Sequence, residues 1–475
     1  MAELAGGFAF LAVLFAGRGA VAWAFDRPSS DCAERGFRLA LAMAVGLGLW
    51  SSSYVLALFC GAATSPVFMV KDGVLALAGA GLLWTSHKRL PVDRREVPRR
   101  PLSAMERWLT GAFAIALVLA SIVFLLRVAR RPDGFWDAWA IWNLRARFFV
   151  RLPADVTRAF SPELGWNTHP DYPLLLPGIT AQWWIVTQQE SRWIPPVIAG
   201  VFAGITVITL AGAVRQLRGT ISGLVAGIAL LGTSAFLRLA VQQVADLPLA
   251  AYALAAVAVV AVALERDEPR TWRLFVLAGL LVGLAAWTKN EGALAAGSVS
   301  AALLSAARVR PAAQRLRHAG WVSLGALPII LLLAYFKLTY APPNDLASKS
   351  SLADLLSRAT TLMRYTTVTG ELWARVYRVR DWNCFFIALP LLLLRFGRSR
   401  LAGPAAPVAL ATAALILSGC LMVYVLTPHE IVWHIQTSMD RVLLQWWPLF
   451  IFSVFVALPP VGGDRQPLAR RDSPH

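Results

Sequence analysis

Pro173-Leu-Leu-Leu-Pro-Gly-Ile-Thr-Ala-Gln-Trp-Trp-Ile-Val-Thr-Gln188 is the stretch whose reading decides the topology of this chain. Counted as a membrane span, it moves Arg215 and Arg218 to the far side and inverts every later basic loop. It is short, holds two prolines and a Trp pair, and runs into Gln189 and Glu190. A hydrocarbon core is about 30 Å thick, so an interfacial or re-entrant helix fits better than a crossing. With it excluded, the segments His87–Arg107, Arg215/Arg218, Arg308–Arg317, Arg395/Arg398/Arg400 and Arg465/Arg470/Arg471 share one side. The positive-inside rule makes that side cytoplasmic.

The rest of the chain supports a membrane reading. It is 57% hydrophobic and only 15% charged over 475 residues, against about 25% charged in soluble domains. Apolar runs near span length recur at about 4–25, 39–61, 67–86, 108–127, 192–214, 220–237, 247–264, 272–289, 291–307, 320–339, 381–396, 403–426 and 442–460. The expected fold is an all-α polytopic membrane protein of about thirteen transmembrane helices, with interfacial helices in a long first outer loop. The first run follows Met-Ala-Glu, without a basic leader, and reads as a retained span. The net charge of +18 sits mainly in short loops. There it sets orientation and meets anionic lipid, so it does not indicate nucleic-acid binding. Cys32, Cys60, Cys384 and Cys420 form no CxxC pair and read as small buried hydrophobes.

The outer side gathers Val128–Arg192, Leu239–Leu247, the Lys289–Gly292 junction, Ala341–Arg380 and Thr427–Arg441. Several arginines lie in the long outer stretches, where the charge rule carries little weight and another role is open to them. The first loop holds Asp133-Gly-Phe-Trp-Asp137-Ala-Trp-Ala-Ile-Trp142-Asn-Leu-Arg145, then His169-Pro-Asp171-Tyr-Pro-Leu. Within, between and just beyond these clusters stand 7 of the 19 tryptophans. If Gly134–Val150 is helical, the spacing of Asp133 and Asp137 puts both on one face, with Trp139 and Trp142 roughly opposite in the lipid interface. A carboxylate between Trp136 and Trp139 is partly desolvated and can act as a general base. His169, Asp171 and Tyr172 precede Pro173 and suit hydrogen bonding at a sugar pocket; a capping role for Asp171 is the alternative. Asp246, two residues before Pro248, reads equally as an N-cap or a site residue.

Lys289-Asn-Glu291-Gly292 interrupts two apolar runs with a cation and an anion. Charges at that depth are paired or functional, and Lys289 can neutralise a phosphate. Arg441 stands at the mouth of the last span, where a guanidinium can grip phosphate through two bonds. His429, Glu430 and His434 match no strong metal template.

In their order and sidedness these motifs resemble the GT-C superfamily of membrane glycosyltransferases. The likeness is to bacterial members of the protein-O-mannosyltransferase and aminoarabinose-transferase group. It rests on Phe135-Trp-Asp137-Ala-Trp139, Tyr172-Pro173-Leu174, Asp246-Leu-Pro248-Leu249 and Gly283-Leu-Ala-Ala-Trp-Thr-Lys289, over about residues 108–310. The chain departs in having Ala138 after Asp137, Asp-Tyr-Pro-Leu for Pro-Pro-Leu, and three spans before the one that bears the loop.

The resemblance implies a polyprenyl-phosphate sugar donor, an acceptor that is a glycan, lipid or protein, and inverting transfer at the outer face of the inner membrane. Asp137 would be the base, with Asp133 in reserve. Lys289, with Arg441 or Arg145, would hold the phosphate. His169, Asp171, Tyr172, Trp139, Trp142, Asp246 and Glu291 would line the substrate site. No cofactor is required by such a mechanism; a divalent metal stays open. The division expected is 1–107 extra N-terminal helices and a basic loop, 108–310 the catalytic module, 311–460 a C-terminal membrane module, and 461–475 a tail. The rival reading is a transporter or flippase of a phosphate-linked lipid or glycan. A third is a polymerase or ligase using a diphosphate-linked oligosaccharide.

Overall fold

The computed structural model describes residues 2–26, 31–62, 65–88, 101–266, 269–305, 311–344, 348–382, 384–396 and 403–460. The tail at 461–475 and parts of three basic loops lie outside the described residues. Among the described residues the chain is helix and connecting turns, with no strand. The main helices are α1 (Ala2–Phe25), α2 (Cys32–Phe59), α3 (Ser65–Lys88), α4 (Ala104–Arg130), α5 (Asn143–Arg151), α6 (Leu175–Thr187), α7 (Ile194–Arg218), α8 (Thr220–Leu231), α9 (Ser234–Ala240) and α10 (Asp246–Arg266). They continue as α11 (Trp272–Ala286), α12 (Glu291–Ser305), α13 (Ala312–Thr339), α14 (Leu352–Thr360), α15 (Leu362–Val376), α16 (Val379–Trp382), α17 (Phe385–Phe396), α18 (Ala405–Leu426) and α19 (Ile431–Ala457).

Eight of these are long and apolar enough to cross a membrane, or nine if α8 and α9 form one bent span. Thirteen spans were expected. Each expected segment contains helix, but α11, α12 and α17 hold only 15, 15 and 12 residues. The 220–237 segment is broken: α8 and α9 meet at 63°. The break falls at Gly232 and Thr233, where the Thr233 hydroxyl donates to Ala229 O (2.9 Å) and accepts from Trp447 Nε1 (3.0 Å).

Helix α10 is the axis of the bundle. Its apolar stretch is buried throughout, against α7, α11, α18 and α19. Its sequence is almost wholly Ala, Val and Leu, which suits a helix surrounded by protein on all sides. By contrast α4 is hardly buried and presents Ile115, Leu119, Leu125 and Leu126 outward, as a helix facing lipid does. The cysteines sort the same way: Cys420 is buried, whereas Cys32, Cys60 and Cys384 lie on the surface, so the buried reading holds for one of the four.

The sidedness inferred from charge has a structural counterpart. At one end of the bundle Arg38 and Arg266 meet Glu34, Arg270 and Arg273 meet Asp26, and Arg215 meets Asp31. Arg218 donates to Val456 O at the same end. The turns α9–α10 and α11–α12 and the 131–193 segment lie at the opposite end.

Helix α6 has 13 residues, roughly 20 Å of rise, too little for a crossing. It is not spread on the lipid interface, however. Ser51 donates to Leu175 O (2.8 Å), Gln182 Nε2 donates to Trp50 O (2.8 Å), and Lys71 donates to Gln182 Oε1 (2.8 Å). These bonds hold it against α2 and α3, and it packs on α1 and α5 as well, so it is buried within the bundle. The expected last outer loop is shorter too: α19 begins at Ile431, and Glu430 caps it by accepting from Val432 N and Trp433 N.

Close helix contact is possible where glycines face backbone. A Cβ on Gly279 would lie 2.0 Å from Val322 O, and one on Gly325 would lie 1.9 Å from Val276 O. Small residues at such crossings let membrane helices approach. Gly279→Val should therefore separate α11 from α13 at an overpacking cost of about 1–3 kcal/mol or more. Thermal unfolding of the detergent-solubilised protein should show a lowered midpoint. Gly297→Val in α12, where nothing lies within 4 Å, should leave it unchanged.

Candidate active site

The site grows from the turn between α11 and α12. Lys289, 5% exposed, places its ammonium 3.0 Å from Asp246 Oδ1 and 2.8 Å from Glu291 Oε1. Asp246 is the first residue of α10 and fully buried. It also accepts from Gln445 Nε2 of α19. Burial works against charge on Lys289, but Asp246 and Glu291 outweigh it and hold its pKa well above the usual lysine value. Asp246 Oδ2 and Glu291 Oε2 are buried without a hydrogen-bond partner among the described residues. Such oxygens are unfavourable in isolation, and they mark acceptor capacity inside the cluster.

Arg441 connects this cluster to the 131–193 segment. Its guanidinium is ion-paired with Asp137 and interacts electrostatically with Asp246 and Tyr172. Arg441 is ten residues into α19 (431 to 441), roughly 15 Å along it. Next to Arg441, Asp440 holds Arg238 of α9 (3.1 Å) and Arg375 of α15 (3.3 Å).

Asp137 lies at the start of a π turn, Ala138–Trp142, which continues into α5. Upstream, Phe135 N donates to Gln242 O (3.4 Å) and Gln243 Nε2 donates to Pro132 O (2.7 Å), fixing the segment on the α9–α10 turn. Gly134, at φ +72°, turns the chain there. Asp133 therefore precedes the helix and does not share a face with Asp137. It is exposed and paired with Arg192 (2.6 Å).

The wide i→i+5 turn also changes the tryptophan register. Trp139 is 47% exposed and packs edge-on to Trp136, whereas Trp142 is 2% exposed and stacks on Tyr172 (5.6 Å). The two do not share one interfacial face.

His169 stacks on Tyr172 (4.4 Å) and adopts φ +46°. Lys289 sits over the Tyr172 ring at 5.8 Å. Burial pushes the Tyr172 hydroxyl pKa up. Asp171 is buried and does not cap α6, whose N-cap is Leu174. Its Oδ2 accepts from Asn290 (2.7 Å) and Asn344 (2.9 Å), and Lys337 pairs with it at 3.7 Å. Lys337 also donates to Asn290 Oδ1 (2.8 Å). Arg145 is fully buried. It donates to Ile141 O (3.0 Å) and Thr168 Oγ1 (3.4 Å), and burial pulls its pKa down to about 10 while Asp171 opposes the shift. Those bonds brace the 131–193 segment from within.

Asp137, Arg441, Asp246, Lys289, Glu291, Tyr172 and Asp171 thus form one network. Asp133, Trp139 and Arg145 stand outside it. Lys337, Asn290, Asn344 and Gln445 belong to it although motif reading passed over them. Lys337 did carry a signal: a lysine interrupting an apolar span. His434 Nδ1 lies 2.8 Å from Thr427 Oγ1. Among the described residues no group of three His, Cys, Asp or Glu side chains is placed to hold a metal ion.

Residues 171–336 match the model of the dolichyl-phosphate-mannose-protein mannosyltransferase family. The matched family is one of the GT-C superfamily. The match supports a membrane glycosyltransferase of the GT-C type. The matched stretch begins at Asp171 and contains Tyr172, Asp246, Lys289, Asn290 and Glu291; Asp137 and Arg441 lie outside it. No curated protein and no solved structure matches the chain.

The buried lysine should be an energetic keystone. Lys289→Met leaves Asp246 and Glu291 without their cation and should cost about 3–5 kcal/mol. Adding Asp246→Asn removes one of the stranded charges and should restore part of that loss, a coupling that a double-mutant cycle on thermal unfolding measures directly. Additive effects would show that the pair is not coupled.

Proposed function

We propose that this protein transfers a sugar from a polyprenyl-phosphate donor to an acceptor hydroxyl on the outer face of the inner membrane, with inversion. The observation that carries the reading is the bridge made by Arg441. One guanidinium joins the Asp137 carboxylate to the buried Asp246–Lys289–Glu291 cluster of the GT-C domain. A candidate base and two candidate phosphate-binding cations therefore occupy one continuous site.

Asp137 takes the proton of the acceptor O–H, whose oxygen attacks the anomeric carbon. The bond from that carbon to the phosphate oxygen breaks, and its electron pair leaves with the phosphate. Lys289 and Arg441 offset the charge that develops there. Arg441 has a double part in this scheme. Drawn toward the donor phosphate, it releases Asp137 from their ion pair and frees the carboxylate to accept a proton. Buried donor phosphate thereby replaces Asp137 as the partner of Arg441, so base activation follows donor binding. Asp246 Oδ2 and Glu291 Oε2 supply acceptors for sugar hydroxyls. The charged groups of this network gather at one end of the bundle, which favours transfer chemistry there over a transport path through the midplane.

Asp137→Asn should lower transfer in membranes supplied with polyprenyl-phosphate sugar by roughly a hundredfold or more, with expression unchanged and polyprenyl-phosphate binding retained. Arg441→Gln should lose binding and turnover together. Transfer at the wild-type rate in Asp137→Asn would remove Asp137 from the mechanism.

A further inference from the structure

Beside the network, but not part of it, lies a cavity of about 360 Å³ lined by Arg127, Arg130, Arg131, Phe135, Arg238 and Gln242, among others. Arg127 and Arg130 end α4, Arg131 is its C-cap, and Arg238 comes from α9 below the bend after α8. Arg238 is held by Asp440 (3.1 Å) and Asp381 (3.4 Å). Among the described residues no acid pairs with Arg127, Arg130 or Arg131; Arg131 rests its guanidinium over the Phe135 ring at 5.2 Å. The nearest carboxylate in sequence, Asp133, is occupied by Arg192.

A helix C-terminus favours a cation through its dipole. That does not explain why a fourth arginine on another helix lines the same hollow. Three arginines within five residues also break the charge rule, because they sit at the end of the bundle opposite the basic loops. Their surroundings identify a compensating anion. The last turns of α4 expose Ile122, Leu125 and Leu126 outward, so an acyl or prenyl chain can lie along the helix while its headgroup enters the cavity. Guanidinium groups bind phosphate bidentately.

We infer that the cavity binds the phosphate of a lipid headgroup, with the lipid tail along α4. The site is separate from the Asp137–Lys289 network and does not depend on sugar transfer. Two sources share this chemistry: an anionic phospholipid of the surrounding leaflet, or a polyprenyl phosphate on its way to the network.

The test uses the full-length protein in detergent micelles, with labelled phosphatidylglycerol and a labelled short-chain polyprenyl phosphate measured separately. Arg130→Gln with Arg131→Gln is compared with Arg107→Gln with Arg317→Gln, an equal loss of charge at the opposite end. The first pair should weaken phosphatidylglycerol binding roughly tenfold or more, as expected for lost basic contacts near a headgroup. The control pair should not. Arg130→Lys with Arg131→Lys should keep an intermediate, more salt-sensitive affinity, and thermal unfolding checks that each variant is folded. Loss confined to phosphatidylglycerol assigns the cavity to leaflet phospholipid; loss confined to polyprenyl phosphate assigns it to an entering polyprenyl phosphate; loss of both assigns it to either lipid. Equal binding of both lipids by the Gln pair and the control pair overturns the proposal.

Discussion

A lysine buried between two carboxylates is the constraint around which the site end of this bundle is organised. Burial works against the charge on Lys289, and Asp246 and Glu291 outweigh it and hold its pKa above the usual lysine value. The trio draws three elements together: the start of α10, the α11–α12 turn and, through Gln445, the middle of α19. Helix positions that would otherwise be set only by apolar packing are thereby fixed in register. An apolar surface in lipid has no strong preference among neighbours, so polar contacts decide which helices meet and how.

The same electrostatics order the 131–193 segment. Asp137 is 304 residues from Arg441 in sequence yet paired with it in space. The pairing requires the segment to be pinned at its start, and the bonds from Phe135 to Gln242 and from Gln243 to Pro132 do so. At its far end Asp171 is tied to Asn290, Asn344 and Lys337. Arg145, buried under the segment, and the stack of His169 and Tyr172 on Trp142 fill the space between. A loop anchored at both ends and packed beneath behaves as part of the scaffold, which is what a site needs to hold charges within hydrogen-bond distance.

Much of this was legible from the chain. Apolar runs, the basic loops and the short Pro-rich segment at 173–188 gave the fold class, the common side of the basic ends and the exclusion of α6 as a span. Asp137, Asp171, Asp246, Lys289 and Arg441 stood out because an ionisable residue amid apolar or aromatic neighbours is conspicuous. Three readings failed for physical reasons. Ideal 3.6-residue periodicity was applied to Ala138–Trp142, and the π turn shifted Trp142 inward and left Trp139 outside. Gly134, which turns the chain, separated Asp133 from the helix. Arg145 was read as a loop arginine that could hold the phosphate, but it is fully buried, and burial is a property of packing that spacing does not encode. Asn344 and Gln445 were invisible for a related reason: neutral amides are common in loops and span interiors, and only their neighbours give them a role.

The sequence by itself determined that this is a multi-pass helical membrane protein and which charges must be compensated, because hydrophobic length and the cost of burying a charge are local properties. The tertiary structure alone decided which charges compensate one another. Asp137 with Arg441, Asp246 with Lys289 and Asp171 with Lys337 are long-range pairings, and they exist only once the helices have brought those positions to the same end of the bundle.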